Sequence, residues 1–204
     1  MKNKYSFIAV DLQNDFAEES GVFFIPGKWK DFLRGTLFPF IKKVNVKVNE
    51  IVSDYRQPRP GDRGDCCHPG KWGYDSIVPK EIVKSTWIKS MNSPVWVRNN
   101  IGQSDKAPGL PYPDPVSLGN WLKENVGDPE MTIPIIFGLT VDCCVLSTLQ
   151  ELSWRGYYPL VIKEGVAHSS GKIADRDGIL KSPIPNWAKV ITFDKLKNNL
   201  KITQ

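Results

Sequence analysis

Histidine is almost missing from this chain, with His68 and His168 the only two in 204 residues. That scarcity excludes a histidine-rich metal cage. Cysteine is also sparse, and its four residues form two adjacent pairs, Cys66-Cys67 and Cys143-Cys144. Neither pair has CxxC spacing, and neither looks like the spaced cysteines of a disulfide framework. Cys66-Cys67-His68 has no second half and is a weak metal signal. No apolar run approaches the roughly 20 residues that span a bilayer. The apolar stretch Phe7–Val10 is cut by Asp11 too soon for a signal-peptide core, so no membrane partner and a cytoplasmic location are expected. No internal repeat, low-complexity tract or nucleic-acid motif is present. The net charge of +5, from 27 basic and 22 acidic residues, rests on scattered lysines and reads as a solvated surface, with no nucleic-acid partner.

What is present fits an ordinary globular α/β chain. Hydrophobic residues make up 41% and charged residues 24%, which argues against a disordered or fibrous protein. The length suits one domain over residues 1–204 and is too short to argue for two. Strands are expected at about residues 5–11, 50–54, 132–137, 158–162 and 189–193. Either of the β-rich pieces 83–89 and 94–98 could supply the third strand. Apolar residues at helical spacing predict helices over about 29–46, with Pro39 as a complication, then 118–126 and 144–154, the last closed by Gly156. Alternating strands and helices argue for a three-layer α/β/α architecture with a mostly parallel sheet. Residues 99–116, with Pro108, Gly109, Pro111, Pro113 and Pro115, resist regular structure and suggest a lid or a subunit-contact loop.

Asp11, Lys89 and the pair Cys143-Cys144 each stand at or just past the end of an expected strand, where open α/β sheets place their ligands. A carboxylate, an amine and a thiol gathered there would make an activated cysteine nucleophile. Taken singly, each residue has a plainer explanation. Asp11 suits a turn, Lys89 a solvated surface, and a cysteine at a strand–helix junction a small buried hydrophobe.

The segments Val10-Asp11-Leu12-Gln13-Asn14-Asp15-Phe16 and Gly138-Leu139-Thr140-Val141-Asp142-Cys143-Cys144-Val145, with His68-Pro69-Gly70-Lys71-Trp72-Gly73 between them, resemble the signature segments of the isochorismatase-like cysteine hydrolases. That family includes nicotinamidases, N-carbamoylsarcosine amidohydrolases and ureidoacrylate amidohydrolases. The resemblance implies that Asp11 is the catalytic carboxylate, with Asp15 structural, and that Cys144 rather than Cys143 is the nucleophile. It implies a lysine at the end of the third strand, followed four residues later by serine and then by an aromatic. Lys89 fits, with Ser93 at that offset and Trp96 beyond as a candidate substrate contact, while Arg98 is the rival cation. It also implies a cis peptide before Thr140 and an oxyanion hole built from the backbone N–H groups of Thr140 and Cys144.

Nicotinamidases hold a metal through an aspartate followed two residues later by histidine, and here Asp54 is followed by Arg56. No metal and no cofactor are therefore expected. Arg56 becomes a candidate contact for an anionic small-molecule substrate, with Arg59 and Arg63 as weaker ones. The implied activity is hydrolysis of a C–N bond in a small amide, ureido or carbamoyl compound through a Cys144 thioester, in a homo-oligomer as the family generally forms. The alternatives are a non-catalytic small-molecule-binding member of the fold and an isochorismatase-type ether hydrolase.

Overall fold

A computed structural model describes residues 4–56 and 64–202. Along the chain run β1 (Lys4–Val10), α1 (Asn14–Ala17), α2 (Trp29–Phe32), a π-helical turn (Leu33–Leu37), α3 (Phe38–Lys43) and β2 (Val48–Ser53). Next come β3 (Val83–Lys89), β4 (Trp96–Arg98), β5 (Pro111–Pro113), α4 (Pro115–Asn125) and β6 (Thr132–Leu139). The chain closes with α5 (Cys144–Trp154), β7 (Leu160–Ala167), α6 (Ile173–Lys181), β8 (Lys189–Ile191) and α7 (Phe193–Ile202).

Six strands form one sheet in the order β3-β2-β1-β6-β7-β8, and every neighbouring pair is parallel. Side chains alternate across a strand, so each strand feeds two cores. Phe7, Ala9, Ile135, Phe137 and Ile162 face Trp29, Leu33, Leu37, Ile41, Phe193 and Leu196. Ile8, Val10, Ile136 and Val161 face Leu118, Leu122, Val145, Leu149, Leu152 and Leu180. Burial on both faces explains why these strands read as continuous apolar runs rather than alternating ones.

The competition for the third strand is resolved in favour of Val83–Lys89, which pairs with β2. Trp96–Arg98 instead pairs antiparallel with Pro111–Pro113 in a separate two-stranded ribbon. The proline-rich stretch is thus more ordered than its composition suggests. Asp114 caps α4 by accepting from the Ser117 N–H at 2.9 Å, and Pro115 occupies the first turn, where its missing N–H costs nothing. Pro39 does not end the first long helix. The π-helical turn ahead of it carries a wider Phe38 N–H to Leu33 carbonyl bond, which eases the place where a proline has no N–H to give. Helices α6 and α7 lie outside the expected elements; the polar residues of α6 blur its apolar period, whereas α7 carries Phe193, Leu196 and Leu200 on one face.

Gly138 shows how tightly the two central strands meet. Its φ is +126°, and a Cβ there would come within 2.1 Å of the Val10 carbonyl oxygen. Gly138→Ala is expected to destabilise the fold by about 3 kcal/mol through overpacking and backbone strain. The check is a lower urea midpoint with an unchanged denaturant slope.

Candidate active site

The strand order places the site. From β1 the sheet grows outward through β2 and β3 on one side and through β6, β7 and β8 on the other. The chain therefore reverses direction between β1 and β6, and a crevice opens beyond their carboxyl ends. Asp11 follows β1 directly and takes a left-handed φ of 48°, a conformation that aspartate tolerates better than most residues. Its N–H donates to the Ile51 carbonyl at 2.8 Å, which ties the turn to β2. Lys89 is the last residue of β3, and Cys144 is the first residue of the 11-residue helix α5 after β6.

Asp11 and Lys89 meet out of contact with solvent. The ammonium Nζ lies 2.8 Å from Asp11 Oδ2, with side-chain exposures of 0% and 2%. Ser53 stands between them, its hydroxyl donating to Asp11 Oδ1 at 2.8 Å and accepting from Lys89 at 2.7 Å. Lys89 also donates to the Tyr55 hydroxyl at 2.7 Å and sits 4.8 Å from the centre of that ring. Burial by itself would depress the ammonium, but the Asp11 carboxylate and then Cys144 outweigh it and hold Lys89 above its ordinary value. Asp11 Oδ2 accepts no hydrogen bond of good geometry. It is in ionic contact with Lys89 and keeps a lone pair able to receive a proton.

The hydroxyl of Tyr55 carries this network to sulfur, 3.4 Å from Cys144 Sγ. The Asn92 side-chain oxygen lies 3.7 Å from the same sulfur. Contact with the Cys143 thiol, then burial, pushes the Cys144 thiol well up, with Lys89 pulling the other way. At neutral pH Cys144 therefore rests as a thiol. Burial likewise holds the Tyr55 phenol well above its usual range, so it is a neutral bridge. The Leu139–Thr140 peptide is cis. Among the described residues, the N–H groups of Thr140 and Cys144 have no hydrogen-bond partner.

These groups open on a cavity of about 440 Å³ lined by Asp11, Tyr55, Asn92, Thr140, Cys143 and Cys144 on its reactive side. Phe16, Phe23, Phe24 and Ile25 line it as well. Asp142 also faces it, but its carboxylate accepts from the Ser169 N–H and hydroxyl at 3.0 and 2.6 Å. Ser53, Tyr55 and Asn92 were not expected from sequence. Ser53 and Tyr55 flank Asp54, and strand alternation would have placed them together on the side away from it.

Two expected substrate contacts do not reach the cavity. Trp96 is half-buried in the β4–β5 ribbon. Arg56 is corrected from a substrate ligand to a structural cation. Its Nε and one terminal nitrogen grip both oxygens of Asp54 at 2.9 and 2.8 Å. Its remaining donors reach the carbonyls of Asn100, Gln103 and Lys106 at 3.1, 2.7 and 2.9 Å. All five guanidinium N–H groups are thereby used, and the 99–110 loop is stapled to the end of β2 rather than free to act as a lid. Arg59 and Arg63 lie outside the described residues.

The other residues singled out from sequence fall elsewhere. Arg98 donates to the Arg56 carbonyl at 2.6 Å and takes no part in the Asp11 cluster. Ser93 donates to Glu151 at 3.0 Å. Asp15 accepts from the Cys67 N–H at 2.6 Å and orders the loop beneath the cavity.

An isochorismatase-like hydrolase from Alkaliphilus metalliredigens superposes with a TM-score of 0.68 over 97% of this chain and 96% of its own, at 19% identity. The fold is that of the isochorismatase-like hydrolases. Two further structures sharing this isochorismatase-like fold are the pyrazinamidase of Pyrococcus horikoshii in complex with zinc and the N-carbamoylsarcosine amidase of Thermoplasma acidophilum. The first has a TM-score of 0.66 and 16% identity over 93% of this chain and 99% of its own. The second has a TM-score of 0.60 and 18% identity over 93% and 96%. No protein-family model and no curated protein sequence matches the chain.

The metal that the nicotinamidase resemblance would place at Asp54 does not fit this version of the fold. Both Asp54 oxygens are held by Arg56, and Oδ2 also accepts from the Gly102 N–H at 2.9 Å. A metal would have to expel a guanidinium that is already buried and fully bonded. Breaking this pair with either Asp54→Leu or Arg56→Met is expected to cost about 3–5 kcal/mol, while Asp54→Leu/Arg56→Met recovers most of the loss. Urea denaturation of the two single variants and the double variant checks this as a cycle.

Proposed function

We propose that this chain is a cysteine hydrolase that cleaves a C–N bond of a small amide, ureido or carbamoyl compound through a Cys144 thioester. The observation that carries this reading is that Asp11 and Cys144 line one cavity while Lys89, buried behind them, is ion-paired with Asp11 at 2.8 Å. Asp11 takes the thiol proton as Cys144 Sγ attacks the carbonyl carbon. Lys89 pairs with that carboxylate and offsets the charge forming on sulfur. The N–H groups of Thr140 and Cys144 receive the developing oxyanion, the latter at the positive end of α5. Asp11 then returns the proton to the leaving nitrogen, the C–N bond breaks, and water attacks the thioester to release the acid and restore the thiol.

With Arg56 occupied, the support for an anionic substrate weakens. Among the described residues no lysine or arginine lines the cavity, whereas Phe16, Phe23, Phe24 and Ile25 do. The aromatic and aliphatic wall accordingly suits a largely apolar substrate body, with its polarity concentrated at the scissile amide.

A screen of small amides, ureas and carbamoyl compounds for released ammonia or amine tests the activity. Cys144→Ala and Asp11→Asn are expected to lower kcat at least about a thousandfold, whereas Cys143→Ala keeps a measurable share. Full activity in Cys144→Ala would refute the mechanism.

The pH dependence of iodoacetamide inactivation provides a second prediction. Because the Cys144 thiol is held above its ordinary value of 9.0, the rate should still be climbing past that pH. In Lys89→Met the rise should move higher still, since the ammonium favours the thiolate. Lys89 itself is raised, so its stabilising contribution is complete below the unfolded lysine value and is lost only as pH rises through the higher folded one. No loss from this group is expected at neutral pH.

A further inference from the structure

A second group of reactive side chains comes together beside the catalytic cluster. A carboxylate oxygen of Asp15 and the sulfur atoms of Cys66 and Cys67 lie within 4.8 Å of one another. All three residues are buried, at 7%, 2% and 0% exposure, and both cysteines are free. Consecutive residues in extended backbone point to opposite sides, which would separate two adjacent thiols. Cys67 instead has a φ of 53°, and its N–H is anchored on Asp15 Oδ2 at 2.6 Å. The turn brings both sulfurs to one side, against the carboxylate.

We propose that Asp15, Cys66 and Cys67 bind a thiophilic divalent cation, zinc, through two thiolates and one carboxylate, leaving its fourth position open toward the cavity that Cys66 lines. Zinc takes this donor set at about 2.3 Å to sulfur and 2.0–2.2 Å to oxygen, in a tetrahedral shell that a fourth ligand completes. Two sulfurs in such a shell stand about 3.8 Å apart by that geometry, so the cluster closes by about an ångström or less. Asp15 can serve because an oxygen that accepts one N–H keeps a second lone pair.

Each thiol gives up its proton as its sulfur electron pair forms the bond to zinc, so one zinc displaces two protons and no electron is transferred. Without the cation, burial holds the Cys67 thiol far above its ordinary range. These ligands are distinct from Asp54, which Arg56 occupies. No step of the proposed hydrolysis uses the cation, and the two readings fail independently.

The test uses the full-length chain, stripped by chelation and titrated with zinc against a chromophoric competitor. A parallel titration with cadmium follows the ultraviolet thiolate-to-cadmium charge-transfer band. Wild type and Cys143→Ser/Cys144→Ser should each bind one equivalent with a two-thiolate band. Cys67→Ser should bind about 100-fold more weakly and Asp15→Asn about tenfold more weakly. Affinity should rise by up to about 100-fold per pH unit while two protons are displaced. Absence of stoichiometric binding by wild type would overturn the proposal, and so would loss of the band in Cys143→Ser/Cys144→Ser, since that variant keeps the whole Asp15–Cys66–Cys67 set. The latter comparison decides the matter even if Cys67→Ser does not fold.

Discussion

Asp11 and Lys89 form an ion pair with almost no solvent contact, and the geometry of the site follows from what such a pair requires. Removing two charges from water costs several kcal/mol for each ion, and attraction repays this only where further hydrogen bonds satisfy the groups. Ser53 and Tyr55 supply those bonds from the end of β2, between the strand ends that carry the two charges. The pair therefore depends on β1, β2 and β3 ending at the same level, which the parallel register enforces. Val10 lies opposite Ile51, and Ser53 lies opposite Lys89. A carboxylate held this way is fixed in place and has one oxygen short of a hydrogen bond.

A second buried ion pair, Asp54 with Arg56, governs the neighbouring region by the same rule. Its guanidinium is satisfied by both Asp54 oxygens and three loop carbonyls. The two pairs share one short segment. Ser53 and Tyr55 point toward Lys89, while Asp54 points to Arg56, as alternation along an extended chain directs. One stretch of four residues thus supports the Asp11–Lys89 pair on one side and anchors the 99–110 loop on the other. With Arg56 spent on this anchor, the cavity keeps an apolar wall of Phe16, Phe23, Phe24 and Ile25.

Much of the architecture was legible because it follows from local pattern. Strands buried on both faces are largely apolar, so β1 and β6 stood out, while β2 buries Asn49, Glu50 and Ser53 among its apolar residues. Cys144–Trp154 declared itself by periodicity and by the glycine beyond its end. The short edge pieces were harder. Val83–Lys89 and residues 94–98 are equally β-rich, and only pairing with β2 separates them. Helix α6 escaped because Asp, Arg and Gly interrupt its apolar face, whereas α7 has a regular one in Phe193, Leu196 and Leu200.

The chain's own order of residues determined which chemistry is available: an acid, an amine and a thiol placed at strand ends, and too few histidines for a histidine cage. It also determined that Arg56 stands two positions after Asp54. Whether that arginine faces a substrate or turns back on its neighbour was a tertiary decision. It depends on carbonyls some 44 to 50 residues away that become neighbours only once the 99–110 loop folds against β2. The roles of Ser53 and Tyr55 were decided in the same way, because a hydroxyl is an ordinary surface group until the fold buries two charges beside it. Local sequence sets periodicity and reactive groups, whereas burial and partnership are properties of the packed sheet.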